Sequence, residues 1–419
     1  MSSHHSRPAE DRGYALLTTT SMRLLLPTLL ASALVVSPHA ARGPQSDQVA
    51  RLEAMQARDP QDAVVLFHLA AHAIAADRTA EGLRWLDAVS RAPGGLDPSF
   101  SRAFRGLHGD ATFEDIVARI RTRHRPLVRS TIAFRIAERD LQPEGIAFDP
   151  RTRALFVGSF KGKIVRVDRR GGVSDFAYVS RPEAPRVVVG VRVDSARRHL
   201  WAVVDDPRAF ADVAIEGAAL VQYDIDTGTS LATYRGAPGA FNDVVVAPNG
   251  DAYVTNTTEG SVWRASRGEL TRLLPAGSIS EANGITIAPE GRVLYVAGWH
   301  DIHRVDLVTR HVQPLEAPRG VVTGSFDGLY WHQGGLVGIQ NGIHPGRVVR
   351  LALDASRPRV MRAEILERYH PQFGGMTTAA LDGQSLLYML NTQSRSFDAT
   401  GAVRPGETLR DILIVRLPL

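Results

Sequence analysis

The chain has 419 residues, 44% hydrophobic and 22% charged, the balance of a globular protein long enough for more than one domain. It contains no cysteine, which excludes disulfides, thiolate metal sites and a cysteine nucleophile. The net charge of +5 is almost all arginine, with Lys161 and Lys163 the only lysines, and the arginines are scattered rather than gathered into the basic stripe that a nucleic-acid binder needs.

Residues 23–36, RLLLPTLLASALVV, put one arginine before an apolar run. The run is shorter than the roughly 20 residues of a comfortable membrane span. It predicts a secretory signal within residues 1–43, with Met22 as the start and cleavage near Ala40 or Ala41. An uncleaved N-terminal anchor is the alternative. Either places the protein in an exported, periplasmic or extracellular compartment.

Residues 46–126 change to a period of 3.6. Val49, Leu52 and Met55 share one face. Val64, Val65, Phe67, Leu69 and Ala70 fill a second helix, and Leu83, Leu86 and Val89 a third that stops at Pro93-Gly94-Gly95. Ile116 and Ile120 mark a last helix, with Thr112 as its expected cap and Asp115 three residues on. The pattern looks like one tetratricopeptide-type pair with a capping helix. A single repeat cannot bury its own face. The unit is therefore either a cap on the next domain or a dock for a protein partner.

From Ser130 the helical period gives way to short strands between Gly, Pro, Asn and Asp turns. Three landmarks recur six times: an inner strand, a middle strand after a turn, and an outward strand. The inner strands are 145–148, 188–193, 243–247, 284–288, 327–331 and 376–381. Five copies add a fourth strand, and the sixth reaches the C-terminus without one. The unassigned strand at 130–138 can supply it and close a ring. The expected fold is mainly β: a six-bladed β-propeller over 130–419, preceded by the small helical domain.

Each of four copies carries one oxygen-bearing side chain just before its short apolar inner strand: Glu144, Asn242, Asn283 and Asp327. Blades two and six offer Gly190 and Thr377 there, which are poor cation ligands. Inner strands line a propeller's channel, so the four converge on one mouth. Two carboxylates and two amide oxygens suit a hard divalent cation, calcium above all, better than zinc. Taken singly, an Asn or Asp before a strand is ordinary turn chemistry.

The four motifs, Pro143-Glu144-Gly145, Asn242-Asp243, Asn283-Gly284 and Asp327-Gly328, make the chain from about 130 onward resemble the senescence-marker-protein/gluconolactonase family of six-bladed propellers. The resemblance extends to the logic of diisopropyl-fluorophosphatase and paraoxonase. It implies one catalytic divalent metal, usually calcium, on Glu144, Asn242, Asn283 and Asp327. It further implies a hydrolase of lactones or related esters, with a small-molecule substrate. In that reading Asp327 binds metal and activates water or attacks as nucleophile. Asp243 is a second candidate base, and Asn242 holds metal or substrate. The chain departs from the family at Tyr330-Trp331, where a second Asp is frequent, and at Asn256 and Gly298, where middle strands often end in Asp. The general base stays open between these groups.

Of the histidines, His344 in QNGIHPG and His370 in RYHPQF are the ones to test, because both precede or connect inner strands. The insertion at 205–217 reads as the longest loop between strands and as a candidate lid over the channel mouth. Two rival functions remain: a non-catalytic propeller that binds a ligand or protein, and a metal-free strictosidine-synthase-like propeller, against which the Glu144/Asp327 pair argues. A porphyrin, flavin or nicotinamide site has no support: no GxGxxG joins a strand to a helix and no P-loop is present.

Overall fold

The computed structural model describes residues 45–181, 184–210, 216–343, 345–398 and 400–419. The leader expected at 1–43, His344 and part of the 205–217 insertion lie outside the described residues. Among the described residues no helix is long and apolar enough to cross a membrane.

Four α-helices come first: α1 (Gln45–Arg58), α2 (Ala63–Ala75), α3 (Thr79–Arg91) and α4 (Ala111–Arg123). Asp62 starts α2, its Oδ1 accepting from the Val64 and Val65 amides at 2.9 and 3.1 Å. Asp110, not Thr112, caps α4. Its Oδ1 accepts from the Phe113 amide at 2.9 Å, and its backbone is extended while Thr112 already lies inside the first turn. An N-cap must stand just outside the helix, so the acid two residues earlier takes the role. The helices share a core of Phe67, Leu86, Phe104, Phe113 and Ile116. Helices precede the propeller as expected; their assignment to the tetratricopeptide class has no separate support.

The remainder forms six four-stranded antiparallel sheets. A strand β1 (Thr131–Ile136) opens it. Blade one is β2 (Pro143–Asp149), β3 (Ala154–Ser159), β4 (Lys163–Val167) and β5 (Val173–Tyr178). Blade two is β6 (Val187–Asp194), β7 (His199–Asp205), β8 (Glu216–Asp224) and β9 (Ser230–Pro238). Blade three is β10 (Phe241–Val246), β11 (Ala252–Asn256), β12 (Ser261–Ser266) and β13 (Glu269–Leu274). Blade four is β14 (Ile285–Ile287), β15 (Val293–Ala297), β16 (Ile302–Asp306) and β17 (Val312–Pro314). Blade five is β18 (Phe326–His332), β19 (Gly335–Gln340), β20 (Arg347–Leu353) and β21 (Val360–Arg368). Blade six is β22 (Ala379–Asp382), β23 (Ser385–Met389) and β24 (Ile412–Pro418), completed by β1 on the outside. The strand nearest the helices therefore closes the ring, with Ile136 opposite Ile412 and Thr131 opposite Arg416.

Apolar side chains alternate towards neighbouring sheets, so the core lies between blades. Trp201, Tyr234, Phe241 and Trp263 join blades two and three, and Ile136, Leu155, Leu387 and Ile414 join blades six and one.

The helical unit sits on the propeller rather than apart from it. Val322 and Ile343, in loops of blades four and five, enter the helical core. Tyr369 donates to the Gly95 carbonyl at 3.3 Å, and buried Arg347 donates to Gln340 Oε1 at 2.8 Å and to the Gly94 carbonyl. These contacts fall on loops and strand ends where inner strands begin and middle strands finish. The helices thus cover part of the channel-mouth face. That contact also explains why α2 is buried on nearly every side.

His68 of α2 lies in this interface, its ring 4.5 Å from Trp299 and 5.9 Å from His300. Burial, then the neighbouring histidines, push the His68 pKa well down; burial and Arg51 push His300 to about 4. Both rings are thus neutral when folded and charge more readily when unfolded. Stability is then expected to fall as pH drops from about 6.5 towards 4, because the unfolded chain binds more protons in that window. Thermal midpoints at about pH 7.5 and pH 5 check this. His300→Gln is expected to lose less on acidification than the parent, and equal losses would contradict the assignment.

Candidate functional site at the channel mouth

The four candidate residues come together, three of them from within their inner strands rather than from turns before them. Glu144, Asn242 and Asp327 lie inside their inner strands, each where the pairing register slips: Pro143/Ile146, Phe241/Val244 and Phe326/Gly328. A bulge adds a residue to one strand and re-aims its side chain. Asn283 stands just before β14, where its amide donates to the Ala297 carbonyl at 2.9 Å. Two residues ahead of the ligand, Gln142, Glu281 and Ser325 adopt left-handed φ of 51, 51 and 64°. Non-glycine residues adopt this conformation at a cost of about 1 kcal/mol each, so the turn that delivers each side chain is held by its surroundings.

The glycines of the motifs serve packing round the axis. A Cβ on Gly145 would sit 2.1 Å from the Val189 carbonyl oxygen of blade two, and one on Gly284 2.5 Å from the Asp327 carbonyl oxygen of blade five. Asp243 occupies the equivalent position in blade three. Its carboxylate accepts from the Val244 amide at 2.8 Å and from the Ile285 amide of blade four at 3.2 Å, and Arg192 lies 3.6 Å away. In blade six Thr378 accepts from the Ile146 amide at 3.2 Å. Asp243 is 2% exposed and is absent from the cleft lining. Its oxygens brace one inner strand to the next.

Glu144 and Asp327 are 5% and 7% exposed and face a cleft of about 470 Å³, together with Asn242, Asn283 and Asn341. Oε2 of Glu144 and Oδ1 of Asn283 are buried with no hydrogen-bond partner. Asn341, at the end of the blade-five middle strand, donates to Asp327 Oδ2 and, at 2.9 Å, to the Met376 carbonyl. Asn242 donates its amide to Thr257 Oγ1 at 3.0 Å, which leaves its oxygen as the group available to a ligand. Burial and the Asp327 charge raise the Glu144 pKa well above the carboxylate range, and burial raises that of Asp327. Two such carboxylates cannot both ionise cheaply unless a cation sits between them.

These donors fit a hard divalent cation. Orphaned buried acceptors are rare and ask for a partner, and here two of them converge with a second carboxylate. Among the described residues no three His, Asp or Glu side chains form a metal-ligand group. A cation at the mouth would therefore rely on two carboxylates and amide oxygens, a donor set calcium accepts.

No described histidine lines the cleft. His300 and His68 belong to the helical interface, and His370 Nδ1 accepts from the Gln372 amide at 3.1 Å beside the cleft. Among the described residues the loop that walls the site is the β23–β24 connection, residues 390–411, which is longer than the blade-two insertion and contributes Thr392, Gln393, Ser394, Arg395 and Arg410 to the lining.

No family model matches the sequence, and no curated protein matches it. Solved structures similar to the chain include a gluconolactonase from Xanthomonas campestris, at 18% identity over 69% of this chain and 94% of that one, with a TM-score of 0.46. They include a calcium-binding protein, regucalcin, from Agrobacterium tumefaciens, at 18% identity over 68% of this chain and 93% of that one, with a TM-score of 0.46. They also include a PQQ-bound aldose sugar dehydrogenase from Streptomyces coelicolor, at 15% identity over 70% and 99%, with a TM-score of 0.45.

Proposed function

We propose that this protein is a divalent-metal-dependent hydrolase of lactones or related esters. The observation that carries the reading is the pair of buried, mutually repelling carboxylates, Glu144 and Asp327, with the orphaned oxygens of Glu144 and Asn283 on the floor of an open cleft. Glu144, Asn242, Asn283 and Asp327 would hold calcium, which when bound supplies Lewis-acid polarisation of a carbonyl oxygen. Asp327 is the base in this reading. Asn341 fixes its carboxylate, which takes the proton of a water whose oxygen adds to the carbonyl carbon; the ester carbon–oxygen bond then breaks, and the protonated Asp327 returns that proton to the leaving alkoxide. Phe160, Val189, Phe373 and Met376 line the cleft and shield the reacting carbonyl from bulk water. Asp243 acts at one remove, by holding the inner strands of blades three and four in register.

A panel of γ- and δ-lactones and aryl esters tests the proposal. Turnover of at least one compound is expected with calcium, falling to background with chelator and returning when calcium is restored. Metal retention without turnover of any compound would shift the reading to a ligand-binding propeller.

A further inference from the structure

One wall of the cleft comes from outside the ring. Phe100, from the helical unit, lines the same cleft as Glu144 and Asp327 and is 43% exposed despite its size. Its carbonyl accepts from Arg395 Nη1 at 3.4 Å. Its ring lies 6.3 Å from Tyr369 and 5.9 Å beneath the Arg121 guanidinium. The helices therefore do more than cap the propeller: they place an aromatic face over the site.

The 390–411 connection places two guanidinium groups in that cleft. Gln393 fixes the Arg410 backbone, accepting from its amide and donating to its carbonyl, both at 2.8 Å, and Arg410 lines the cleft. The Arg395 side chain has the Phe100 carbonyl as its partner. Among the described residues neither guanidinium pairs with a carboxylate, whereas Arg121 beside them is paired with Asp97 at 2.8 Å. Glu407 is the only other acid in the described lining besides Glu144 and Asp327, and its Oε2 accepts from Ser396 Oγ at 2.8 Å. With the axial pair committed to a dication, the wall keeps two guanidinium groups against one carboxylate. One positive charge is left over.

We infer that the cleft selects a substrate bearing a single carboxylate, separated by an apolar stretch from the reacting ester or lactone carbonyl. Arg395 and Arg410 take the carboxylate, and Phe100 with Phe373 and Met376 covers the stretch between. Guanidinium–carboxylate pairing is charge-assisted and geometrically specific, and the aromatic wall supplies apolar contact. The inference rests on the hydrolase reading for its kinetic test but not for its binding test.

The kinetic test compares mono-4-nitrophenyl adipate, which has a free carboxylate, with 4-nitrophenyl hexanoate, a neutral ester of matched length. The parent is expected to favour the adipate ester in kcat/KM. In Arg395→Gln/Arg410→Gln that preference is expected to fall about tenfold or more, the scale of one charge-assisted hydrogen bond. Phe100→Ala is expected to raise KM for both esters. An unchanged preference in the double variant overturns the inference while leaving the hydrolase standing. The binding test uses the corresponding 4-nitroanilides with the calcium-loaded protein in a calorimeter. If neither ester is hydrolysed, tighter binding of the adipate anilide that is lost in the double variant sustains the carboxylate site without the hydrolase. Equal binding of the two anilides, or binding of neither, overturns it.

Discussion

Asp327→Asn lowers kcat/KM for any lactone or ester substrate by about a thousandfold, roughly 4 kcal/mol of transition-state stabilisation. The change keeps the shape of the side chain and a partner for Asn341, so the bulge that aims it should persist. It removes a base and half the charge that would face the cation. The metal-free protein is not expected to lose thermal stability, because the fold holds that charge buried beside Glu144 at a cost. Steady-state kinetics and a melting curve on the same preparation check both halves. Full turnover in the variant would remove Asp327 from the reaction.

Ile136→Asp destabilises the propeller by about 4 kcal/mol or more, the range of an unpaired charge in a core. Ile136 is fully buried at the seam between blades six and one, opposite Ile412, on the strand that closes the ring. Ile132, four residues earlier on the same strand, is 43% exposed. Ile132→Asp is expected to change stability by no more than about 0.5 kcal/mol. Chemical denaturation of the two variants compares a seam with a surface while strand, residue type and substitution stay the same. Similar losses at both positions would mean that β1 is held by backbone pairing alone, not by its buried face.

The propeller was legible because its signal is repeated. Six inner strands stand at a regular spacing, and the missing outer strand of the last copy and the spare strand at 130–138 account for each other; β1 pairs β24 as that count requires. The four cleft oxygens were legible for the same reason, since position within a repeat fixes position round an axis. What the repeat could not show is how the side chains are aimed. The bulges at Glu144, Asn242 and Asp327 are register slips against a partner strand, and the partner's register is not written in the strand itself.

Asp243 shows the same limit from the other side. Beside Asn242 in sequence it reads as a base, yet it occupies the position that glycine holds in blades one and four, and its oxygens accept amides of blades three and four. Aligning the six copies residue by residue would have shown that a carboxylate there replaces a glycine at a close approach. Asn341 was missed because it ends a middle strand, 14 residues from Asp327 in sequence, and meets it only through the blade. Phe100 had no local signal at all: its place in the cleft depends on how the helical unit sits on loops more than 200 residues away, as in the 295-residue separation from Arg395.

Calcium binding to the intact protein, measured by calorimetry beside Glu144→Ala/Asp327→Ala, tests the central claim most directly. The account expects one site per chain in the parent and none in the double variant, with both proteins folded by circular dichroism. A parent that binds no divalent ion, or a double variant that binds as well as the parent, would contradict it.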